Sequence, residues 1–162
     1  MTADIRTLAI ASDHRGHAVV DSIKEHLAAT GLEVEIVGRP EDLEQPVDYP
    51  DAAGEVTNAI LQGRVDAGIL VCGSGIGMSM AANRFRGIRA ALVADTNGAE
   101  ISRRHNDANV LCMGASCLDL PEMYAILDTW LSTEFEGGRH ETRIRKIDSQ
   151  GTCGEPTGGE TP

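Results

Sequence analysis

Short apolar runs alternate with longer amphipathic stretches along most of the chain. Five apolar runs are typical of buried strands, and they occupy residues 8–11, 34–37, 67–71, 90–93 and 110–113. Helical spacing of apolar positions marks the segments between and after them, at about 16–30, 51–62, from 76 to about 85, 97–104, 120–131 and 141–147. Continuous apolar strands alternating with helices are typical of a parallel sheet covered on both faces. We therefore predict an α/β fold, with a doubly wound (Rossmann-like), mostly parallel five-stranded sheet in three layers.

Length and composition predict the number of domains and the kind of side chain that forms the core. The chain has 162 residues, which is the usual size of one domain. Only 3% of the residues are aromatic, so the core must be built mainly from aliphatic side chains. Residues 150–162 are rich in Gly, Pro and Thr, a composition typical of disordered tails. We predict one domain over residues 1–149 and a disordered C-terminal tail over 150–162.

Charge and hydropathy narrow the classes of partner. The chain carries 25 acidic and 14 basic residues, a net charge of −11, which argues against nucleic acid or an anionic membrane as the main partner. No apolar run reaches the roughly 20 residues of a membrane-spanning helix, and the N-terminus lacks the order of a signal peptide. Four cysteines in a chain of this size favour reduced thiols and a cytoplasmic location.

A glycine-rich loop follows the third predicted strand. The sequence from Cys72 to Gly77 has glycine at every second position and runs directly into a helix. Uncovered backbone N–H groups and a helix N-terminus stabilise an anion, or an oxygen that gains negative charge. The same field favours the thiolate form of Cys72. The alternative is a tight turn in which Cys72 is only a small buried apolar residue.

Three known kinds of loop are excluded by spacing. The glycines follow the third strand rather than the first, and they lack the G-x-G-x-x-G pattern of a dinucleotide site. A thioredoxin-like site needs a second cysteine where Gly75 stands, and a cysteine phosphatase loop needs an arginine where Met78 stands. A lone thiolate beside backbone donors instead fits a general base next to an oxyanion site.

Ligands of open α/β sheets bind beyond the carboxyl ends of the strands. On this rule we select Asp13 and His14 after the first strand, the loop that starts at Cys72, and His105 with Asn106 before the fifth strand. A histidine here fits a general acid or base near neutral pH. The alternative for His105 is a favourable interaction with the C-terminal dipole of its helix.

Two arginines stand four positions apart near the end of the predicted domain. Arg139 and Arg143 lie one helical turn apart if their segment is helical, so both guanidinium groups could bind one phosphate. The alternative is a solvated basic face. No metal-ligand spacing is present in the sequence, so we predict neither a metal nor another cofactor.

Several short motifs together point to one family. They are Asp13-His14, 48–50, 72–77, 82–84, 87–90, 105–109 and 137–143. In this order the chain resembles the B-type ribose-5-phosphate isomerases over about residues 5–147, a family that includes allose, galactose and tetrulose phosphate isomerases. The resemblance implies a homodimer, sometimes a tetramer, whose active sites are shared across the subunit interface. It also implies metal-free aldose–ketose interconversion through a cis-enediolate.

The resemblance assigns a role to each candidate residue. Cys72 is the base that moves a proton between C1 and C2, while Ser74 and the N–H groups of Gly75 and Gly77 hold the enediolate oxygens. His105 with Asp13 opens the sugar ring. The other implied substrate-binding residues are Tyr49 beside the sugar, Gly73 and Ile76 in the loop, Asn106 orienting the substrate, and His14, Arg139 and Arg143 at the phosphate.

One position departs from the family pattern. Many members have Gly-Ser-Arg after the fifth strand, with the arginine on the substrate phosphate, whereas this chain has Gly114, Ala115 and Ser116. A hydrogen bond to a charged group contributes roughly 1.5–3 kcal/mol, so phosphate binding should differ. The substrate therefore stays open among ribose 5-phosphate, allose 6-phosphate and a tetrulose phosphate. A non-catalytic module that binds a phosphorylated metabolite is the alternative from another class.

Overall fold

Five strands and six helices alternate along the part of the chain that the structure, a computed structural model, describes: residues 5–40, 42 and 45–149. The strands are β1 (Thr7–Ser12), β2 (Glu33–Ile36), β3 (Ala67–Cys72), β4 (Ala90–Leu92) and β5 (Val110–Gly114). The helices are α1 (His17–Ala28), α2 (Tyr49–Leu61), α3 (Ile76–Ala82), α4 (Thr96–Arg104), α5 (Leu120–Ser132) and α6 (Arg139–Ser149). Every predicted element is present. The tail predicted over 150–162 lies outside the described residues.

The sheet has the order β2-β1-β3-β5-β4, and every pair of neighbouring strands is parallel. From β1 the chain moves outward to β2, then crosses back over β1 to form β3 on its other side. The winding direction therefore reverses between β1 and β3, which makes the gap beyond their carboxyl ends the expected ligand site. Asp13 directly follows β1 there, and Cys72 is the last residue of β3.

Helices cover both faces of the sheet, as predicted for three layers. One apolar cluster joins the sheet to α1 and α5, and a second joins the opposite face to α2 and α3. The three central strands are almost wholly buried, because each is apolar on both faces. Gly68 in β3 lets α2 approach closely, since a Cβ there would lie 2.2 Å from Cγ1 of Val56. None of the helices in the described ranges is long and apolar enough to cross a membrane.

Candidate active site

A cavity of about 570 Å³ opens where β1 and β3 end. Seven of the residues selected from the sequence line it: Asp13, Tyr49, Cys72, Gly73, Ser74, Ile76 and Gly77. Four residues that sequence reasoning did not select line it too: Arg15, Met80, Ser116 and Cys117. The sulfur expected to be reactive is therefore beside a cavity rather than enclosed in the core, although only 5% of Cys72 is exposed.

The thiol of Cys72 has a backbone donor directed at it. The N–H of Gly75 donates to Sγ of Cys72 across 3.1 Å. Gly75 has a left-handed backbone (φ 77°), and a Cβ there would lie 2.6 Å from Cδ1 of Leu92. Only glycine fits this turn. The resemblance implied that this N–H holds an enediolate oxygen, but the structure directs it to the sulfur, because the left-handed turn folds the loop back over β3.

Two other groups of the loop remain available to an oxygen of a bound ligand. Oγ of Ser74 accepts the N–H of Ile76 at 3.3 Å, which leaves the hydroxyl proton of Ser74 free to donate. The N–H of Gly77 has no hydrogen-bond partner within the described part of the chain. The ring of Tyr49 covers Gly77, since a Cβ there would lie 2.8 Å from it. Ser74 and Gly77 are thus the donors next to the sulfur.

Asp13 shapes the opposite wall of the cavity. Its Oδ1 accepts the N–H groups of Arg15 at 2.9 Å and Gly16 at 3.2 Å, which orders the turn between β1 and α1. Its other carboxylate oxygen has no hydrogen bond within the described residues, so it is available to a ligand. His14 is exposed and does not line this cavity.

His105 and Asn106 do not join Cys72 within one chain, so the expectation that they share its edge of the sheet is wrong. His105 caps the C-terminus of α4 and precedes β5, and the residues before a parallel strand lie at its amino end. Cys72 lies at the carboxyl end of β3. Asn106 instead lines a separate cavity with Arg89 and Ile147.

The predicted basic pair lies with His105 rather than with Cys72. Arg139 and Arg143 are exposed on the first turns of α6. His140, between them, stacks on His105 with ring centroids 4.4 Å apart. Burial, followed by the neighbouring His105 and Arg139, lowers the pKa of His140. The amino edge of the sheet therefore carries a second cluster of candidate residues, separate from the cavity.

An internal network holds the segment that carries His105 and Asn106. Asp107 has a left-handed backbone (φ 45°), which is uncommon outside glycine. Arg89 donates from Nε to the carbonyl oxygens of Asn106 at 3.2 Å and Asp107 at 2.9 Å. Arg103 donates from one nitrogen, Nη1, to Oδ1 of Asp107 at 3.2 Å and to the carbonyl of Ala108 at 2.7 Å. Two arginines thus fix this turn.

The second cluster also contains three groups of metal-ligand type. Their ligand atoms, on His105, Glu136 and His140, all lie within 4.8 Å of one another. However, the two imidazole planes are 5° from parallel, so their in-plane lone pairs run side by side instead of meeting at one point. The carboxylate of Glu136 already accepts from Nε of Arg104 at 3.1 Å, which lowers its pKa. The arrangement fits an imidazole pair better than an ion site, and metal-free chemistry stays a prediction.

Gly114 of β5 packs directly against the backbone of the loop that follows Cys72. A Cβ there would lie 2.8 to 2.9 Å from backbone atoms of Ser74, which cannot move independently of the loop. We expect Gly114→Ala to lower the free energy of unfolding by about 1–3 kcal/mol and to reduce kcat/KM. Chemical denaturation and steady-state kinetics measure both. Gly54→Ala is the control: no atom lies within 4 Å of a Cβ at this helical site, so we expect no loss of stability, and an equal loss would contradict the clash.

A doubly wound α/β sheet with a cavity at its switch point has the architecture of a protein that binds a small molecule. A sequence model of the Ribose/Galactose Isomerase family matches residues 8–147, and the chain belongs to that family. The resemblance drawn from the motifs is thereby confirmed, and the protein is an isomerase.

Named relatives agree with this assignment. The ribose-5-phosphate isomerase B of Escherichia coli is 40% identical over 143 residues, which is 88% of this chain and 95% of that protein. A ribose 5-phosphate isomerase of Thermotoga maritima has a TM-score of 0.84 at 47% identity, covering 91% of this chain and 99% of that one. The Mycoplasma genitalium enzyme, whose structure is described with bound ribulose-5-phosphate, has a TM-score of 0.84 at 40% identity, covering 89% and 95%. These structures confirm the predicted fold class.

Proposed function

We propose that this protein interconverts the aldose and ketose forms of a phosphorylated sugar, with ribose 5-phosphate and ribulose 5-phosphate as the first candidates. The observation that carries the proposal is the 3.1 Å hydrogen bond from the Gly75 N–H to Sγ of Cys72 at the edge of the cavity. The substrate class is supported by relatives named as ribose-5-phosphate isomerases, one of them described with bound ribulose-5-phosphate.

The chemistry follows from the groups around the sulfur. The Cys72 thiolate takes the proton from the carbon next to the sugar carbonyl, and the electron pair moves onto the carbonyl oxygen to form an enediolate. The hydroxyl of Ser74 and the N–H of Gly77 stabilise the charge on that oxygen. The thiol then returns a proton to the neighbouring carbon, while a second proton moves between the two oxygens. Overall the step moves hydrogen within the sugar and consumes no other reactant.

A role for the second cluster in the chemistry at Cys72 calls for a second copy of the chain. β5 has five residues and spans about 16 Å, which exceeds the length of a five-carbon sugar phosphate. His105 therefore cannot share a substrate with Cys72 in one chain. We propose a homodimer in which each cavity receives His105, Asn106, Arg139 and Arg143 from the other copy. The apolar rim of the cavity supports an interface there, since Tyr49, Ile76 and Met80 are 45%, 47% and 66% exposed.

In this arrangement His105 opens the sugar ring together with Asp13, whose second carboxylate oxygen is available in the cavity. A ring-opening residue transfers a proton between the ring oxygen and the C1 hydroxyl, a task suited to imidazole near neutral pH. Asn106 orients the substrate, and His14, Arg139 and Arg143 bind its phosphate. The turn held by Arg89 and Arg103 keeps His105 in place for this role.

We expect Arg139→Ala and Arg143→Ala each to raise KM by about tenfold or more with a smaller change in kcat. Phosphate contacts persist in the ground state and the transition state alike, so their loss weakens both equally. Steady-state kinetics with the phosphorylated sugar measures this. Arg145→Ala is the matched control, because Arg145 lies on the same helix but pairs with Glu141. A loss confined to kcat would contradict the assignment to the phosphate.

The proposed function is tested by incubating the protein separately with ribose 5-phosphate, allose 6-phosphate and erythrulose 4-phosphate, and following each mixture by NMR. We expect interconversion of at least one of them. Ser116 in place of the family arginine leaves the choice among the three open. If all three stay unchanged while one of them binds, a non-catalytic binding module accounts for the cavity instead.

A further inference from the structure

We propose that Arg15 supplies, from the same copy of the chain as Cys72, a further cation for the phosphate group of the substrate, beside the Arg139 and Arg143 proposed from the other copy. The inference rests on the proposed function, because it takes the ligand to be a phosphorylated sugar. Arg15 lines the cavity together with Cys72. Among the described residues that line this cavity, Arg15 is the one with a basic side chain. Asp13, the acidic side chain there, uses Oδ1 to hold the backbone N–H of Arg15 itself.

The Arg15 side chain reaches across the cavity edge to the loop after β3. A Cβ built on Gly73, the residue next to Cys72, would lie 3.0 Å from Cδ of Arg15 and 3.3 Å from its Nη1. The guanidinium group therefore lies over a residue whose lack of a side chain leaves room for it. The backbone of Arg15 lies just after β1, whereas its guanidinium group lies beside the loop that follows β3. The side chain therefore crosses the switch point of the sheet.

A hydroxyl group lies beside the guanidinium. The same Cβ position on Gly73 is 3.6 Å from Oγ of Ser116, so Arg15 and Ser116 flank Gly73 together. Many members of the family have an arginine at the position of Ser116, and the charge next to this serine belongs to Arg15. A guanidinium and a hydroxyl converging at a cavity edge are suited to the oxygens of one phosphate group.

The donors of this guanidinium are free of partners within the described part of the chain. Among the described residues, no carboxylate pairs with Arg15, and no hydrogen bond of its side chain is present. Several other arginines have carboxylate partners, among them Arg39 with Asp21 at 2.6 Å and Arg64 with Glu35 at 2.9 Å. The chain has a net charge of −11, and yet no carboxylate of the described residues occupies this guanidinium, which leaves its donors available to an anionic ligand.

The test uses Arg15→Gln in the full-length protein, with Arg86→Gln as the matched control because Arg86 is exposed and does not line the cavity. We measure KM for ribose 5-phosphate, or for whichever sugar phosphate the wild type converts, and Ki for inorganic phosphate. For Arg15→Gln we expect both to rise about 10- to 100-fold, as for loss of a charge-assisted hydrogen bond. Arg86→Gln should stay within about two-fold, as surface substitutions usually do.

Two more variants separate binding from packing. Arg15→Lys keeps the charge and should recover part of the affinity, whereas Arg15→Met keeps only the apolar stem and should behave like Arg15→Gln. Recovery with Met, or unchanged KM and Ki in Arg15→Gln, would overturn the proposal. A wild type that converts no sugar phosphate would contradict the proposed function alone. In that case, titration of wild type and Arg15→Gln with inorganic phosphate by ³¹P NMR still decides whether Arg15 binds phosphate.

Discussion

Replacing Cys72 with Ala is expected to lower kcat about 10²- to 10⁴-fold, because removal of a positioned general base costs rate enhancement of that order. KM should change little, because the sulfur takes up a proton in the reaction and contributes little to binding of the substrate. The N–H of Gly75 also loses its hydrogen-bond partner in this variant, and because this group is buried, we expect the free energy of unfolding to fall by about 1–3 kcal/mol as well. Steady-state kinetics with the converted sugar phosphate measures both constants.

The control for this loss is Cys112→Ala. Cys112 lies in the same apolar cluster as Cys72 but is fully buried, and burial raises the pKa of its thiol well above the usual range. This sulfur stays protonated and unreachable, so we expect kcat to stay within about two-fold once thermal melting shows a folded protein. A normal kcat for Cys72→Ala, or an equal loss of kcat in Cys112→Ala, would contradict the role of the Cys72 sulfur as the base.

Mixing two inactive variants is expected to restore activity. Cys72→Ala removes the catalytic group at the carboxyl edge of the sheet, and His105→Gln removes the one at the amino edge. We assume that each active site takes the carboxyl edge of one copy and the amino edge of the other. Random reassociation then makes half of the dimers hybrids of the two variants. In each hybrid, one of the two active sites has both groups intact. About a quarter of wild-type activity should therefore return. The measurement is the specific activity of an equimolar mixture after unfolding and refolding together.

A second mixture, of Cys72→Ala with Cys72→Ser, is the control for this experiment. Both variants are damaged at the same edge, so no pairing creates an intact site and activity should not return. Restoration in the first mixture alone would support a shared site. If His105→Gln is inactive by itself and the first mixture also stays inactive, His105 acts within its own subunit or through folding, and the shared site is wrong.

The strands and the cysteine loop were predictable because local sequence determines them. β3 and β5 are continuous apolar runs, and the left-handed backbone after Cys72 requires glycine at position 75. Helix ends were predicted less accurately. α3 ends at Ala82 rather than near 85, and α6 begins at Arg139 rather than 141, directly after Gly137 and Gly138 with positive φ.

The site was harder to predict, because it depends on contacts between distant segments. His105 was assigned to the wrong edge although its position before β5 already places it at the amino end of that strand. The N–H of Gly75 was expected to face a ligand, and only the three-dimensional path of the loop shows that it donates to Cys72. Arg15 was missed because nothing in its local sequence indicates that its side chain crosses to Gly73.

The most direct test of proton abstraction by Cys72 is NMR of ribose 5-phosphate, or of the sugar phosphate found to be converted, in D₂O. With wild type and with Cys112→Ala, we expect deuterium to enter the product at the carbon that receives the returned proton, and the remaining aldose to lose its C2 proton signal. Cys72→Ala should show neither change over the same time. Deuterium uptake by Cys72→Ala at the wild-type rate would contradict the assignment of this sulfur as the base.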